Sequence, residues 1–202
     1  ASIYTVYKQE SGFYLSGLAK FNHYDTDLTV GAVDKLSRQL GYDKIEGGLN
    51  QRGLGMSLLA GKRFVVGEKG WYWEPQAQFS YMRIFGDKYL TSSGLDVDVE
   101  ATTSLRARAG FLFGKAIELK NGSVLDVFAD VSINKEFDGE TDIWMSGGKY
   151  TRDLGDTWGS YGLGFSWRMG ERSYLGGRIA YGSGSDRTEP ISATLGLLFE
   201  LQ

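Results

Sequence analysis

Charged and amide side chains recur at every second position in several stretches of this sequence, and that spacing is where chemistry could reside. Arg106 and Arg108 form one such row and Glu74, Gln76 and Gln78 a second, while Asp126 and Asp130, four apart, keep the same parity in a third. Residues two apart project from the same side of an extended strand, so these rows are strand faces rather than helical clusters. Parity counted from the intervening turns places Arg63 near Glu74, Arg108 near Asp130 and Arg106 beside Ser132. Lys20, Arg168 and Arg178 fall on the same set of polar faces. Opposite charges across a ladder stabilise by roughly 0.2 to 1 kcal/mol per pair. Filling a polar interior with ion pairs is the weightier reading of these rows; lining a charged conduit that helps a chain pass is the functional alternative.

Other chemistry is thinly supported. A Ser-His-Asp or Asp-His hydrolase would need the sole histidine, His23, with a positioned partner. Asp25 and Asp27 are close in sequence, but Asp25 does no more than share its strand face, and no nucleophile motif accompanies it. The glycines sit in strands and turns rather than in a phosphate-binding loop. With no cysteines and no metal-ligand cluster, no cofactor or metal is expected.

The elements that must position these rows are strands of unusual length. Residues 95–113 alternate strictly. Leu95, Val97, Val99, Ala101, Leu105, Ala107, Ala109, Phe111 and Phe113 lie on one side, while Asp96, Asp98, Glu100, Arg106 and Arg108 lie on the other. Globular strands usually run about 5 to 6 residues, and a tilted strand crosses a bilayer in about 9 to 11. The expectation is one continuous strand, with residues 104–113 in the membrane and the acidic upper half standing above it. Further strands are predicted over 1–7, 13–24, 53–66, 71–85, 124–134, 158–169, 174–183 and 191–201.

Composition agrees with strands of two faces. Mean hydropathy is −0.26 and no apolar run reaches the roughly 18 residues of a spanning helix. A β-barrel passes unseen through such a scan because its lipid-facing and interior residues cancel. Abundant glycine and aromatics with only two prolines suit many strands and turns. A net charge of −3 and a pI near 5.3 argue against nucleic acid as a partner. Trp71, Trp73, Tyr161, Trp167 and Tyr181 are expected in interface girdles. Lys62 and Arg83 fall on the apolar face, near strand ends where a charge costs only about 0 to 1 kcal/mol.

Connections alternate short and long, as in outer-membrane barrels with short periplasmic turns and long extracellular loops. The two longest connections cover residues 25–52 and 137–157, and Val33, Leu36 and Leu40 in the first sit at helical spacing. Nine strands are an odd number, and a nine-stranded sheet leaves two edges unpaired in lipid. The chain is therefore expected to be the C-terminal part of a longer antiparallel up-and-down transmembrane β-barrel.

The run GWYWEPQAQFSYMRI at 70–84 resembles the "EPQAQ-x-SY" strand of the autotransporter translocator domain. SLRARAGF at 104–111, VSINKEF at 131–137, YGLGFSWRMGERSYLGGRIAYGSG at 161–184 and the closing TLGLLFEL support the resemblance. Of these, the EPQAQ run is the most specific. The resemblance implies a twelve-stranded barrel with three strands upstream, a passenger domain on the same precursor and a helical linker threading the pore. It further implies type V secretion, an outer-membrane location in a lipid environment, and no enzymatic role. Two departures stand out: Leu59 replaces a glutamate common in the family, and the chain ends Glu200-Leu201-Gln202 after its last aromatic, Phe199. Barrel substrates of the assembly machinery resemble one another in a final-strand pattern, and Thr194, Gly196, Phe199 and Leu201 fit it. Through that strand the machinery would be a partner by β-augmentation. Against translocation stands a stand-alone barrel, a small pore or adhesin acting through its two long loops, and, more remotely, a hydrolase using His23.

Overall fold

The computed structural model describes residues 1–31, 44–153, 155–170, 173–184 and 188–199. The helix expected at Val33, Leu36 and Leu40, and Leu201 of the closing pattern, lie outside the described residues. Nine staves form one antiparallel sheet in chain order: β1 (Ser2–Lys8), β2 (Phe13–Gly31), β3 (Lys44–Lys62) with its continuation β4 (Phe64–Val66), β5 (Trp71–Ile84), β8 (Thr102–Glu118), β9 (Val124–Asp138), β12 (Thr157–Arg168), β13 (Ser173–Gly184) and β14 (Thr188–Phe199). The sheet curls into a half-barrel. Among the described residues β1 and β14 are its two edges and do not pair with each other.

A second, four-stranded sheet stands at the end with the long connections. It comprises β6 (Asp87–Leu90), β7 (Asp96–Val99), β10 (Thr141–Met145) and β11 (Gly148–Arg152), in the order β11-β10-β7-β6. The described residues of the two long connections, expected to be irregular, are therefore largely strand. Residues 25–31 and 44–50 extend the β2–β3 ladder as far as Gly31 opposite Lys44. Residues 137–157 supply the β10–β11 hairpin, which pairs with β7 through Ile143–Val99, Trp144–Asp98 and Met145–Val97.

The predicted continuous strand 95–113 is corrected here. It breaks at Glu100 and Ala101 into β7 and β8, which belong to different sheets. Its partner β5 ends at Ile84, and at Gly86 the two chains pass so closely that a Cβ would lie 3.0 Å from the Ala101 nitrogen and 2.5 Å from the Val99 carbonyl oxygen. Glu100 N–H then bonds the Asp142 carbonyl, at 2.9 Å, instead of continuing the barrel ladder. Alternation specifies a side for each residue; it does not specify which sheet that side belongs to.

Burial in the barrel sheet is inverted relative to a soluble protein. Large apolar residues of one face are exposed, among them Leu58, Phe79, Phe111, Ile133, Leu163, Ile179 and Leu195, whereas Glu74, Asp130, Ser132, Asn134 and Glu136 are buried on the other. No described helix is long and apolar enough to cross a membrane. Toward the short-turn end the outer face carries stacked aromatics: Phe64 on Trp73 with centroids 4.5 Å apart, and Trp71 on Phe113 at 5.5 Å. Lys62 and Lys115 lie over Phe64 and Trp71 in the same belt, where an amphipathic side chain can keep its charge wet.

Candidate functional site

The concave wall gathers its polar residues into three clusters. Glu74 centres the first. Its carboxylate accepts from Tyr14 Oη at 2.6 Å, Arg63 Nε at 2.8 Å and Gln76 Nε2 at 2.8 Å. Arg63 also donates to Asp126, at 3.2 Å, and lies 3.8 Å from the Tyr72 ring centroid. Pro75 helps to create this arrangement. It contributes no N–H, and the β3–β5 ladder lapses between Gly61–Gln76 and Phe64–Trp73, where Arg63 leaves strand geometry. Arg63 N–H turns instead to the Gly12 carbonyl, at 3.0 Å.

Tyr14 stands on β2 and Glu74 on β5, so the bond between them crosses β3. Gly61, opposite Tyr14, permits that reach, since a Cβ there would run into the tyrosine ring. The same device recurs around the wall. Tyr72 of β5 lies over Gly114 of β8, and Phe128 of β9 lies over Gly164 of β12.

Asp130 on β9 centres the second cluster. It accepts from Arg178 on β13 through Nε at 2.9 Å and Nη2 at 2.6 Å, and from Arg108 Nη2 at 3.4 Å. The Asp130–Arg178 pair spans β12 at Gly162, where a Cβ would lie within 2.8 Å of the guanidinium. Such a two-pronged contact is the strong geometry for an arginine and a carboxylate. Glu136 on β9 centres the third: Ser104 Oγ donates to both its oxygens at 3.0 Å, and Arg106 Nε donates at 3.2 Å. The Arg106 guanidinium rests 4.8 Å from the Trp158 ring centroid.

The residues singled out from sequence distribute as follows. Arg63 and Glu74 meet directly, with Gln76 bonded to the same carboxylate. Gln78 donates to Ser57 at 2.8 Å. Arg108 reaches Asp130, but as a diagonal contact, because in the ladder Arg108 opposes Asn134. The expected Arg106–Ser132 neighbours are corrected: Arg106 opposes Glu136, and Ser132 opposes Gly110. The turn is centred at residue 121, two residues later than that pairing requires. Leu119 N–H bonds Ser123 O at 2.8 Å, and Gly122 takes φ +78°, which slides the register by an even number and keeps every side chain on its face. Lys20 lies along Gly55, and Arg168 stands exposed at the short-turn end opposite Tyr174. On β14, Thr194 opposes Arg178, Gly196 opposes Gly176, and Phe199 is exposed opposite Ser173. His23 is exposed and opposes Arg52 in the ladder.

Tyr14, Ser104 and Glu136 are missing from the sequence-derived set. Glu136 keeps the parity of Asp130 and Asn134, so extending that strand two residues would have found it. No signal in the sequence pairs Tyr14 with Glu74, because the contact skips a strand.

An all-antiparallel half-barrel with an apolar outside and ion-paired inside defines a membrane β-barrel. The chain matches the family described as "Autotransporter beta-domain" over residues 1–180, and it belongs to that family of outer-membrane barrel domains. It is similar to the pertactin autotransporter of Bordetella parapertussis, with 32% identity over 187 residues, 93% of this chain and 19% of that protein. It is also similar to the BrkA autotransporter of Bordetella pertussis, with 28% identity over 144 residues, 71% of this chain and 14% of that protein. The crystal structure of the beta domain of BrkA superposes with a TM-score of 0.73 at 24% identity, covering 98% of this chain and 71% of that one. The chain thus spans about a fifth of the length of the pertactin relatives.

Proposed function

We propose that residues 1–202 are the C-terminal part of an outer-membrane translocator barrel, incomplete at its N-terminal side, which anchors an N-terminal passenger and supports its delivery to the cell surface. The observation that carries this is the open sheet with reversed burial. Its outer face suits lipid and its inner face suits water, and an unpaired strand edge in hydrocarbon costs several kcal/mol per unsatisfied group. Further strands of the same precursor would close it. On this reading the long-connection end is extracellular, and Lys20, Arg63, Glu74, Gln76, Gln78, Arg106, Arg108, Asp126, Asp130, Arg168 and Arg178 line the lumen. The closing strand, with Thr194, Gly196, Phe199 and Leu201, would be the edge that barrel-assembly machinery pairs with. The domain acts by positioning a chain in a membrane, and no catalysis is assigned to it.

The test is expression of the full-length precursor in a Gram-negative host, with external protease added to intact cells. Surface-exposed passenger fragments that vanish when β12–β14 are deleted support delivery. A passenger that reaches the surface without the barrel would sink the reading. A second reading, a stand-alone barrel acting through its loops, is favoured by the ordered four-stranded sheet with exposed Leu90 and Tyr150. It predicts a precursor with no large domain upstream of the barrel.

A further inference from the structure

The charges of the concave wall are layered by depth. The side chains of Glu74, Asp130 and Glu136 are 6%, 4% and 3% exposed, while those of their partners Arg63, Arg178 and Arg106 are 39%, 36% and 36% exposed. In each cluster the carboxylate is the floor and the guanidinium faces the enclosed space. Hydrogen bonds from the wall hold the floor down: Tyr14 and Gln76 on Glu74, and Ser104 on Glu136. Lys20 adds an exposed ammonium on the same face with no ion pair among the described residues.

We propose that the lumen bounded by this wall passes anions in preference to cations. The inference rests on the barrel reading above. An ion in the lumen meets the positive ends of these pairs first, and its distance to each carboxylate exceeds its distance to the matching guanidinium. With lipid behind the wall, low dielectric keeps the field inside the channel and magnifies that difference. Rings of arginine and lysine are the recurring lining of anion-conducting pores. Layering matters more than net count here, because a balanced wall with its acids outermost would have the opposite sign.

The test is the full-length protein, purified from outer membranes and incorporated in planar lipid bilayers under a KCl gradient. At low ionic strength the expected reversal potential has the sign of chloride preference, with a chloride-to-potassium permeability ratio above one. Lys20→Gln moves it toward zero and Lys20→Glu moves it further. Lys20 holds no ion pair, so both variants keep the fold, checked by the heat-shifted mobility typical of folded barrels. Raising the salt shrinks the preference, as the screening length falls from about 10 Å at 0.1 M to about 3 Å at 1 M. Channels that prefer potassium, or that ignore the Lys20 variants, overturn the inference and leave the barrel reading standing. Absence of any channel overturns the inference as well and leaves the barrel reading to the delivery test.

Discussion

The ion pair between Asp130 and Arg178 exists because Gly162 has no side chain. Gly162→Ala would push a methyl into that pair, and such overpacking typically costs about 1 to 3 kcal/mol. Gly196→Ala meets nothing within 4 Å and serves as the matched control. Urea unfolding of the full-length protein in detergent should show a lower midpoint for the first variant and an unchanged one for the second. Glu74→Gln is the complementary case. It leaves Tyr14, Arg63 and Gln76 donating toward a neutral group, at about 1 to 3 kcal/mol for each poorly satisfied partner. The same unfolding assay checks it, and an unchanged midpoint would mean that water replaces these bonds at no cost. At this scale the sequence was legible as far as parity reaches. Which residues face the wall follows from alternation, and the Arg63–Glu74 contact follows from one short turn. The register of Arg106 did not follow, because the turn at Gly122 could not be placed within two residues. Contacts that skip a strand, such as Tyr14 to Glu74, depend on sheet curvature, which no periodicity encodes.

The element least foreseen is the sheet formed by β6, β7, β10 and β11. Residues 95–113 alternate without interruption, so nothing in them announces that the barrel ladder ends at Thr102 and a separate sheet holds Asp96–Val99. The break is set by what lies opposite: Gly86 on one side and the Asp142 carbonyl on the other. The β10–β11 hairpin has its own clamp, in which Asp142 accepts from Lys149 Nζ at 2.8 Å and Thr151 Oγ1 at 2.6 Å. Those bonds hold the Asp142 carboxyl below the usual carboxylate range, while Asp142 raises the Lys149 ammonium. A depressed carboxyl contributes stability above its unfolded value of about 3.9 and loses it as pH falls through the folded one; a raised ammonium contributes below about 10.4 and loses it above. Amide exchange of residues 141–152, corrected for intrinsic rates, should thus be slowest between about pH 4 and 10 and faster on either side. Asp142→Asn should flatten both limbs. Trp144→Ala, which removes the bond to Glu100 at 2.9 Å, should speed exchange in β7 and β10 together while leaving β9 unchanged.

At the scale of the molecule, what organises the chain is the pair of edges it leaves open. β1 and β14 flank a half-barrel whose outer face cannot be wetted cheaply and whose edge N–H and C=O groups cannot be lipid-exposed cheaply. A soluble sheet would blunt such edges with charges, proline or a bulge. β14 carries a register irregularity between Ala180 and Gly182 on its partner, but below it the ladder runs regularly from Ile179–Ala193 to Ser173–Phe199 with exposed Leu195, Leu197 and Phe199 on the outer face. That edge is made to be paired. Residues 1–202 refolded alone in detergent micelles should therefore form no species resistant to SDS at room temperature, or should form one only as an oligomer that joins edges between copies. The precursor with its upstream strands should give a monomeric resistant form that heat converts to the unfolded mobility. Size-exclusion chromatography coupled to light scattering separates these cases. A monomeric, SDS-resistant species from residues 1–202 would mean that β1 and β14 close on each other, and both the incomplete-barrel proposal and the open-edge argument would then fail together.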